Sequence, residues 1–365
     1  MDRQLIWAVK SKLERNTSKK LSSLAARDDL FDISTVDTKS KEYDWAVSNF
    51  EMARKMGCSV VTYIDDAYPE VLRTIPQPPP ILYVMGNAGV LKDTVFAGLV
   101  GSRKCDDYGI RMAESIAMEI GQTGAGIVSG GALGVDAASH RGALRAKAPT
   151  VAVLGSGMDI AYPKENHPLF NSIAKSGGAV ITEFPFGEVA NGWNFPRRNR
   201  VIAALSTAVV VVRAAYRSGS LITATRAMEM NTTVFAVPGN IDNVLSAGTN
   251  ELIRDGALPL LSPMDVIDEL VARRPDYFVR EKDKKEERAK EEFFAPTPAK
   301  EEKKEVPSGL SEYEKEIVNI INDGFNTQTQ IEEKVSFEAG RLGALLAMME
   351  IKGIIKKGAD KKYRI

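Results

Sequence analysis

Val95-Phe96-Ala97-Gly98-Leu99-Val100, followed at once by Gly101-Ser102-Arg103, is the stretch on which the fold turns. Its apolar residues are continuous rather than alternating, the mark of a strand buried on both faces. It runs into a glycine turn and then into a helical segment near Tyr108-Gly109. The same succession recurs. Apolar runs at Gly126–Ser129, Thr150–Leu154, Ala179–Thr182, Ala208–Val212 and Thr233–Val237 alternate with helical segments. Strands covered on both faces and separated by helices predict a doubly wound α/β domain with a parallel sheet. Most of these runs end in Gly-, Ser- or Pro-containing loops, among them Ser129-Gly130-Gly131, Gly155-Ser156-Gly157 and Pro238-Gly239-Asn240. Ligands bind at the carboxyl ends of such strands, so these loops form the candidate functional edge.

Outward from this core, which spans about 91–272, the pattern changes. Residues 1–90 read as a small, mostly helical domain. Leu5, Ile6, Val9 and Leu13 recur at helical spacing, and a second helix fits Tyr43 to Met56. Gly57 stops that helix, Ser59 to Tyr63 looks like a short strand, and Pro76-Gln77-Pro78-Pro79-Pro80 is a stiff, extended boundary or strap. Residues 273–309 read as a charged, flexible linker. From Pro275 to Val306 there are 10 acidic and 9 basic residues and few large apolar ones, a composition that cannot bury a core. The tail, 310–365, folds again. Ser311 can cap a helix carrying Tyr313, Ile317, Ile320 and Ile321, and Gly324 ends it. A short helix spans about Thr327 to Val335, and a third runs from about Ser336 to Lys352. A terminal hairpin completes a winged-helix shape. That hairpin carries Lys352, Lys356, Lys357, Lys361, Lys362 and Arg364 against Asp360, while the helix before it has Arg341 as its only basic residue. Reading of bases needs Arg, Asn or Gln on such a helix, so the tail is expected to make at most weak, non-specific DNA contacts.

Composition bounds the function. Of 365 residues 44% are hydrophobic, enough for a large core, and 48 basic side chains balance 48 acidic ones. Zero net charge argues against non-specific coating of duplex DNA but leaves room for a local basic groove. Cys58 and Cys105 stand in no metal or redox spacing, which predicts a reduced, cytoplasmic protein. No apolar run is long enough for a membrane span, and the first residues do not read as a signal peptide. Two histidines, His140 and His167, argue against a histidine-based metal site.

Four stretches carry chemistry. In Val100-Gly101-Ser102-Arg103 the glycine frees backbone N–H groups for an anion, and Arg103 adds a fork of donors that fits phosphate. In Ser129-Gly130-Gly131-Ala132-Leu133-Gly134-Val135-Asp136 three glycines within five residues permit close backbone approach, and Asp136 can cap the next helix. His140, one turn further on, reads as a packing or capping residue before a functional one. In Phe195-Pro196-Arg197-Arg198-Asn199-Arg200 three arginines stand at the start of a helix. Arg197 and Arg200 fall one turn apart on one face and could meet phosphate together with the free N–H groups of the helix start. A ladder of internal ion pairs is the plain alternative. Arg217-Ser218-Gly219-Ser220 enters a further helix and forms another phosphate-sized nest, or simply its cap. There is no Walker loop, HExxH, GxSxG elbow or GxGxxG fingerprint, and no carboxylate cluster suggests a metal. No cofactor is expected, and a binding surface explains these residues better than a reaction centre.

Taken in order, these motifs resemble the DprA/Smf family. They are Gly101-Ser102-Arg103, Ser129-Gly130-Gly131-Ala132 with Gly134-Val135-Asp136, Leu154-Gly155-Ser156-Gly157 with Asp159 and Tyr162-Pro163, and Glu183-Phe184-Pro185. Phe195-Pro196-Arg197-Arg198-Asn199-Arg200, Ser218 to Ala224, Phe235 to Gly239 and Gly248-Thr249-Asn250 complete the series. The resemblance implies an extended Rossmann-like core that binds single-stranded DNA, dimerises and helps load RecA recombinase during natural transformation, without catalysis. It also implies a SAM-like N-terminal domain and a C-terminal winged helix. The implied DNA and phosphate contacts are Gly101, Ser102, Arg103, Gly130, Gly131, Lys164, Arg197, Arg198, Asn199, Arg200, Ser218, Gly219 and Ser220.

Two departures stand out. The N-terminal part lacks a Gly-Ile-Gly hairpin, and the stretch Glu188 to Asn194 has no basic residue. Trp193 there could stack on a base or be buried against the helix. The alternative is a nucleotide-binding enzyme or sensor of the related base-cleaving class, with Gly219 to Thr223 and Glu229 in its key positions. The double glycine of that class is missing. The late core, with Leu245, Leu252, Ile253, Leu258, Leu260 and Leu261, holds more apolar residues than an edge helix buries, which suits a homodimer.

Overall fold

The computed structural model describes residues 2–13, 17–27, 29–283, 309–337, 339–358 and 361–365. The chain divides into two compact units, residues 1–285 and 286–365.

The first unit is built on a nine-stranded sheet. Its strands are β1 (Ser59–Thr62), β2 (Ile81–Gly86), β3 (Phe96–Val100), β4 (Gly126–Gly130), β5 (Thr150–Val153), β6 (Ala179–Thr182), β7 (Ser206–Val211), β8 (Thr233–Ala236) and β9 (Leu258–Pro259). Their order across the sheet is β1-β2-β6-β5-β4-β3-β7-β8-β9. β3 to β9 all run parallel, whereas β2 pairs antiparallel with β6 and β1 antiparallel with β2. This is the α/β, Rossmann-like fold class that the continuous apolar runs predict, extended at both edges. The burial explains why those runs do not alternate. Phe96 and Val100 belong to one hydrophobic core, and Ala97 and Leu99 to another on the opposite face. A strand feeding two cores needs an apolar side chain at every position, and covering a Leu or Phe fully contributes about 1.5–3 kcal/mol.

The N-terminal helices Arg3–Leu13, Ser18–Ala25 and Lys41–Lys55 send Ile6, Trp7, Leu21 and Ala46 into the same core as Val153 and Ile181. The proline run acts as an acceptor rail. The Trp7 indole donates to the Pro80 carbonyl at 2.8 Å and the Tyr68 hydroxyl to Pro79 at 2.7 Å. β2, just after that run, was not among the expected strands.

The charge-rich stretch after Pro275 also differs from expectation at its start. Residues 275–283 are helical, with Tyr277 buried and its hydroxyl donating to the Gly124 carbonyl at 2.7 Å. One buried aromatic anchors what net composition reads as tether. The rest of the expected flexible linker, 284–308, lies outside the described residues.

The second unit contains the helices Glu312–Asn322, Gln328–Glu332 and Leu342–Ile351 and paired two-residue strands Lys356–Lys357 and Tyr363–Arg364. Ser311 and Glu314 form a reciprocal capping box at the first helix. The last helix starts at Leu342 rather than near Ser336. Ser336 is instead held by the Glu316 carboxylate at 2.7 Å, and Phe337 packs edge-on against Tyr313. Among the described residues no helix is long and apolar enough to cross a membrane.

Candidate functional site

From β3 the chain steps outward through β4, β5 and β6, then crosses back to place β7 on the other side of β3. The loops leaving β3 and β7 therefore part in opposite directions and open a crevice at the carboxyl edge of the sheet. A cavity of about 270 Å³ lies there. Its wall takes Gly101, Ser102 and Arg103 from the β3 loop and Ala132 and Asp136 from the β4 loop. Phe195, Arg198 and Asn199 come from the helix Asn194–Leu205, and Ser218, Gly219 and Ser220 from the start of the helix Gly219–Glu229.

Each loop is held by an identifiable contact. The Ser102 amide donates to the Arg213 carbonyl at 2.8 Å. Arg213 is itself buried, bonded to Ser246 Oγ at 2.6 Å, ion-paired with Asp106 at 3.3 Å and stacked on Tyr108. Arg213 and Asp106 were missed in the sequence, although Asp106 three residues before Gly109 is a helix-cap signal, and Asp106 Oδ1 accepts the Gly109 amide at 2.9 Å. Gly134 sits at φ +76°, in the left-handed region that favours glycine. At Gly130 an added Cβ would run into Asp136 and the Arg198 guanidinium. Asp136 does not cap the helix Val135–Arg145 as expected. Gly134 takes the cap position, and the Asp136 carboxylate turns back to accept the Ala132 amide at 3.3 Å.

Arg198 is the charged floor of the cavity. It is buried, donates to the Val153 carbonyl and to Asn199 Oδ1 at 3.0 Å, and Asn199 in turn reaches the Gly219 carbonyl at 3.2 Å. Burial pulls its guanidinium down to about 10, with Asp136 opposing that fall. Burial likewise pushes the Asp136 carboxyl above the usual carboxylate range, against the pull of Arg198. His140 is structural. Its ring is fully buried, with Nε2 2.9 Å from the Gly130 carbonyl and Nδ1 2.7 Å from Thr150 Oγ1, so it ties β4 to β5 behind the cavity.

Arg103 is exposed and lies over the Phe195 ring, 4.3 Å from its centroid. A smaller cavity of about 60 Å³ continues past Phe195, lined in part by Arg103, Gly131 and Tyr162. Ser218 caps the helix Gly219–Glu229, whose first turn holds no acidic residue. The positive end of this helix and Arg198 thus face one cavity, an arrangement suited to an anion.

The arginine cluster is divided. Arg197 and Arg200 both reach Glu183 Oε2, at 2.9 and 2.6 Å, while Arg198 alone of the three lines the switch-point cavity. Glu183 is almost wholly buried, and a buried carboxylate requires such partners. Lys164 is exposed in the short turn Lys164–Asn166 and lines neither cavity. Trp193, 88% exposed at the start of its helix, is not the buried aromatic that was one of its two readings. Glu229 pairs with Arg226 at 2.8 Å and lines a groove that includes Phe96 and Ser206, at the amino ends of β3 and β7. Of the late-core residues Leu260 is buried, and Leu252 and Ile253 pack on the core. Leu258 and Leu261, in and just after the edge strand β9, are exposed, and Ile241, Val244 and Met264 are exposed as well. Among the described residues there is no group of His, Cys, Asp and Glu that could hold a metal ion.

The family model for DNA recombination-mediator protein A matches residues 59–271, from β1 into the helix Pro263–Arg273. The chain is 41% identical to the Smf protein of Synechocystis over 211 residues, 57% of this chain and 53% of that one. It is 36% identical to the DNA processing protein DprA of Bacillus subtilis over 224 residues, 61% of this chain and 75% of that one. Among solved structures, DprA of Streptococcus pneumoniae superposes with a TM-score of 0.59 at 33% identity, covering 74% of this chain and 98% of that one. DprA of Helicobacter pylori, described for its single-stranded DNA binding mode, gives 0.54 at 29% identity, covering 59% and 96%. The motifs at the cavity and a match over more than half the chain agree: the chain belongs to the DNA recombination-mediator protein A (DprA/Smf) family.

Proposed function

We propose that the chain binds single-stranded DNA at the switch-point cavity and acts as a mediator that hands the strand to RecA recombinase during natural transformation and recombination. The observation that carries this is the meeting of Arg103, the buried Arg198 and the capped start of the helix Gly219–Glu229 around one cavity. A phosphate there meets the Arg103 fork, the charge of Arg198 and the positive end of a helix, and phosphate contacts are indifferent to base identity. Gly101, Ser102, Gly130, Gly131, Asn199, Ser218, Gly219 and Ser220 shape that seat, and Lys164, Arg197 and Arg200 extend it as backbone contacts. Trp193, exposed two residues before Phe195, and Tyr162, exposed on the wall of the smaller cavity, stack on bases in this reading. The function is binding, not catalysis, and needs no cofactor. The base-cleaving alternative would need Glu229 beside the phosphate seat, and it lines the groove at the other end of the strands.

The working form is a cytoplasmic homodimer, paired through the exposed apolar edge at Leu258 and Leu261, with the winged-helix tail as a separate auxiliary module. Titration of a labelled oligothymidylate and a duplex of equal length across a salt series tests the proposal. Single strand binds more tightly, and Arg103→Ala lowers the log–log salt slope by about 0.7, one single-strand phosphate contact. Unchanged affinity of Arg103→Ala at low salt would show the assignment to be wrong.

A further inference from the structure

A second cavity, also of about 270 Å³, opens between the N-terminal helices and the end of β6. Its wall includes Lys12, Trp45, Tyr83, Glu183, Phe184 and Arg197. Two features separate it from a packing gap. The Tyr83 hydroxyl and Glu183 Oε1 are both buried with no hydrogen-bond partner, as are Nε and Nη1 of Arg200 behind the wall, and Tyr83 is only 1% exposed and the Glu183 side chain 2%. Leaving such groups unmatched in the interior is costly, so their retention suggests that something else satisfies them. The charge is also uneven. Glu183 is the one acidic residue in the wall, and Arg200 already pairs with it at 2.6 Å. Arg197, half-exposed over Phe184, reaches the same Glu183 oxygen at 2.9 Å, so with Lys12, seated over the Trp45 ring at 4.2 Å, three cations exceed the one carboxylate by two charges.

A ligand for this cavity must carry an anion of high charge, which suits phosphate more than a single carboxylate. It must also present a hydrogen-bond donor to Glu183 Oε1 and a partner for the Tyr83 hydroxyl, the paired pattern that a base edge offers. We propose that this cavity is a second nucleotide site, with Lys12 and Arg197 taking the phosphate and Tyr83 and Glu183 the base edge. Lys12, Tyr83 and Glu183 line no part of the switch-point cavity, so variants at Lys12 and Tyr83 test this site apart from the strand seat, with which it shares Arg197. Its occupant is either a free nucleotide or one residue of a bound strand. Arg197 follows directly on Phe195 and Pro196 of the first cavity, so a strand could run from one to the other over the first turn of that helix.

The test uses the full chain carrying Arg103→Ala, so that the first cavity is impaired, and calorimetry with deoxyadenosine and thymidine monophosphates, inorganic phosphate, and oligothymidylates of increasing length. If the source is a free nucleotide, a monophosphate binds, and Lys12→Ala and Tyr83→Phe each weaken it by about fivefold, the loss of one hydrogen bond. If the source is the strand, monophosphates stay silent, and the two variants weaken only oligonucleotides beyond a threshold length. Tyr83→Phe should not lower the melting temperature, because the hydroxyl has no protein partner to lose. The proposal is overturned if neither variant changes any affinity, or if inorganic phosphate binds as tightly as the monophosphates. It is also overturned if Lys12→Ala alone has an effect, or if Tyr83→Phe destabilises the fold.

Discussion

His140 gives the sharpest test of how the site is held. Burial drives its imidazole from 6.5 down to about 4; the Gly130 carbonyl opposes the shift, and Arg141 and Arg198 add to it. A histidine whose folded pKa lies below its unfolded value stays neutral in the native state while the unfolded chain takes up a proton. Stability is therefore full above about pH 7 and is lost as pH falls through 6.5 toward 4. Each tenfold difference in proton affinity is worth 1.36 kcal/mol. By pH 5 the unfolded form has gained about one and a half such factors, so His140 removes about 2 kcal/mol between pH 7.5 and 5. All three tryptophans, Trp7, Trp45 and Trp193, lie in the first unit. Urea unfolding followed by tryptophan emission thus reports that unit alone. Asp136, whose folded pKa is raised, has the opposite sign, gaining stability as pH falls. It titrates in the parent and in His140→Gln alike, so the difference between the two proteins isolates the imidazole. With only two histidines in the chain, imidazole carbon resonances give a direct readout, and one should keep its neutral position down to pH 5. The opposite result is physically definite. An imidazolium at pH 7, donating from Nδ1 to Thr150 and from Nε2 to Gly130, would mean that hydrogen bonding outweighs burial. That observation, or equal pH slopes in parent and variant, refutes the reasoning.

Leu261, just after the edge strand β9, is 80% exposed, and Leu258 within that strand is also exposed. Light scattering at tens of micromolar should give a dimer for the parent and a monomer for Leu261→Glu, with unchanged thermal stability; a monomeric parent would dismiss this interface. Deleting residues 307–365, which include every described residue of the second unit, should leave single-strand affinity largely intact because the proposed contacts lie in the first. A collapse of binding with the first unit still folded would reassign the DNA contacts to the tail.

The six central strands were legible in the sequence because a strand buried on both faces leaves an unbroken apolar run, as at Val95 to Val100. The glycine loops were legible because Gly130 and Gly134 meet local demands, one of space and one of backbone conformation. The edge strand β1 was legible too, as the short run Ser59 to Tyr63, but β2 and the opposite edge strand β9 were not. β9 is only Leu258–Pro259, and β2 follows a proline run that reads as a boundary. The roles within Phe195 to Arg200 also needed the tertiary structure. Helical periodicity puts Arg197 and Arg200 on one face and turns Arg198 about 100° away from Arg197, but it does not say what either face meets. The crossing from β6 to β7 decides that, bringing Glu183 to one face and the switch-point cavity to the other. The second cavity depends on chain segments as distant as Lys12, Tyr83 and Arg197. Local pattern settles which residues are buried and which carry charge. Which charges share a cavity is settled only when non-local packing brings their backbones together.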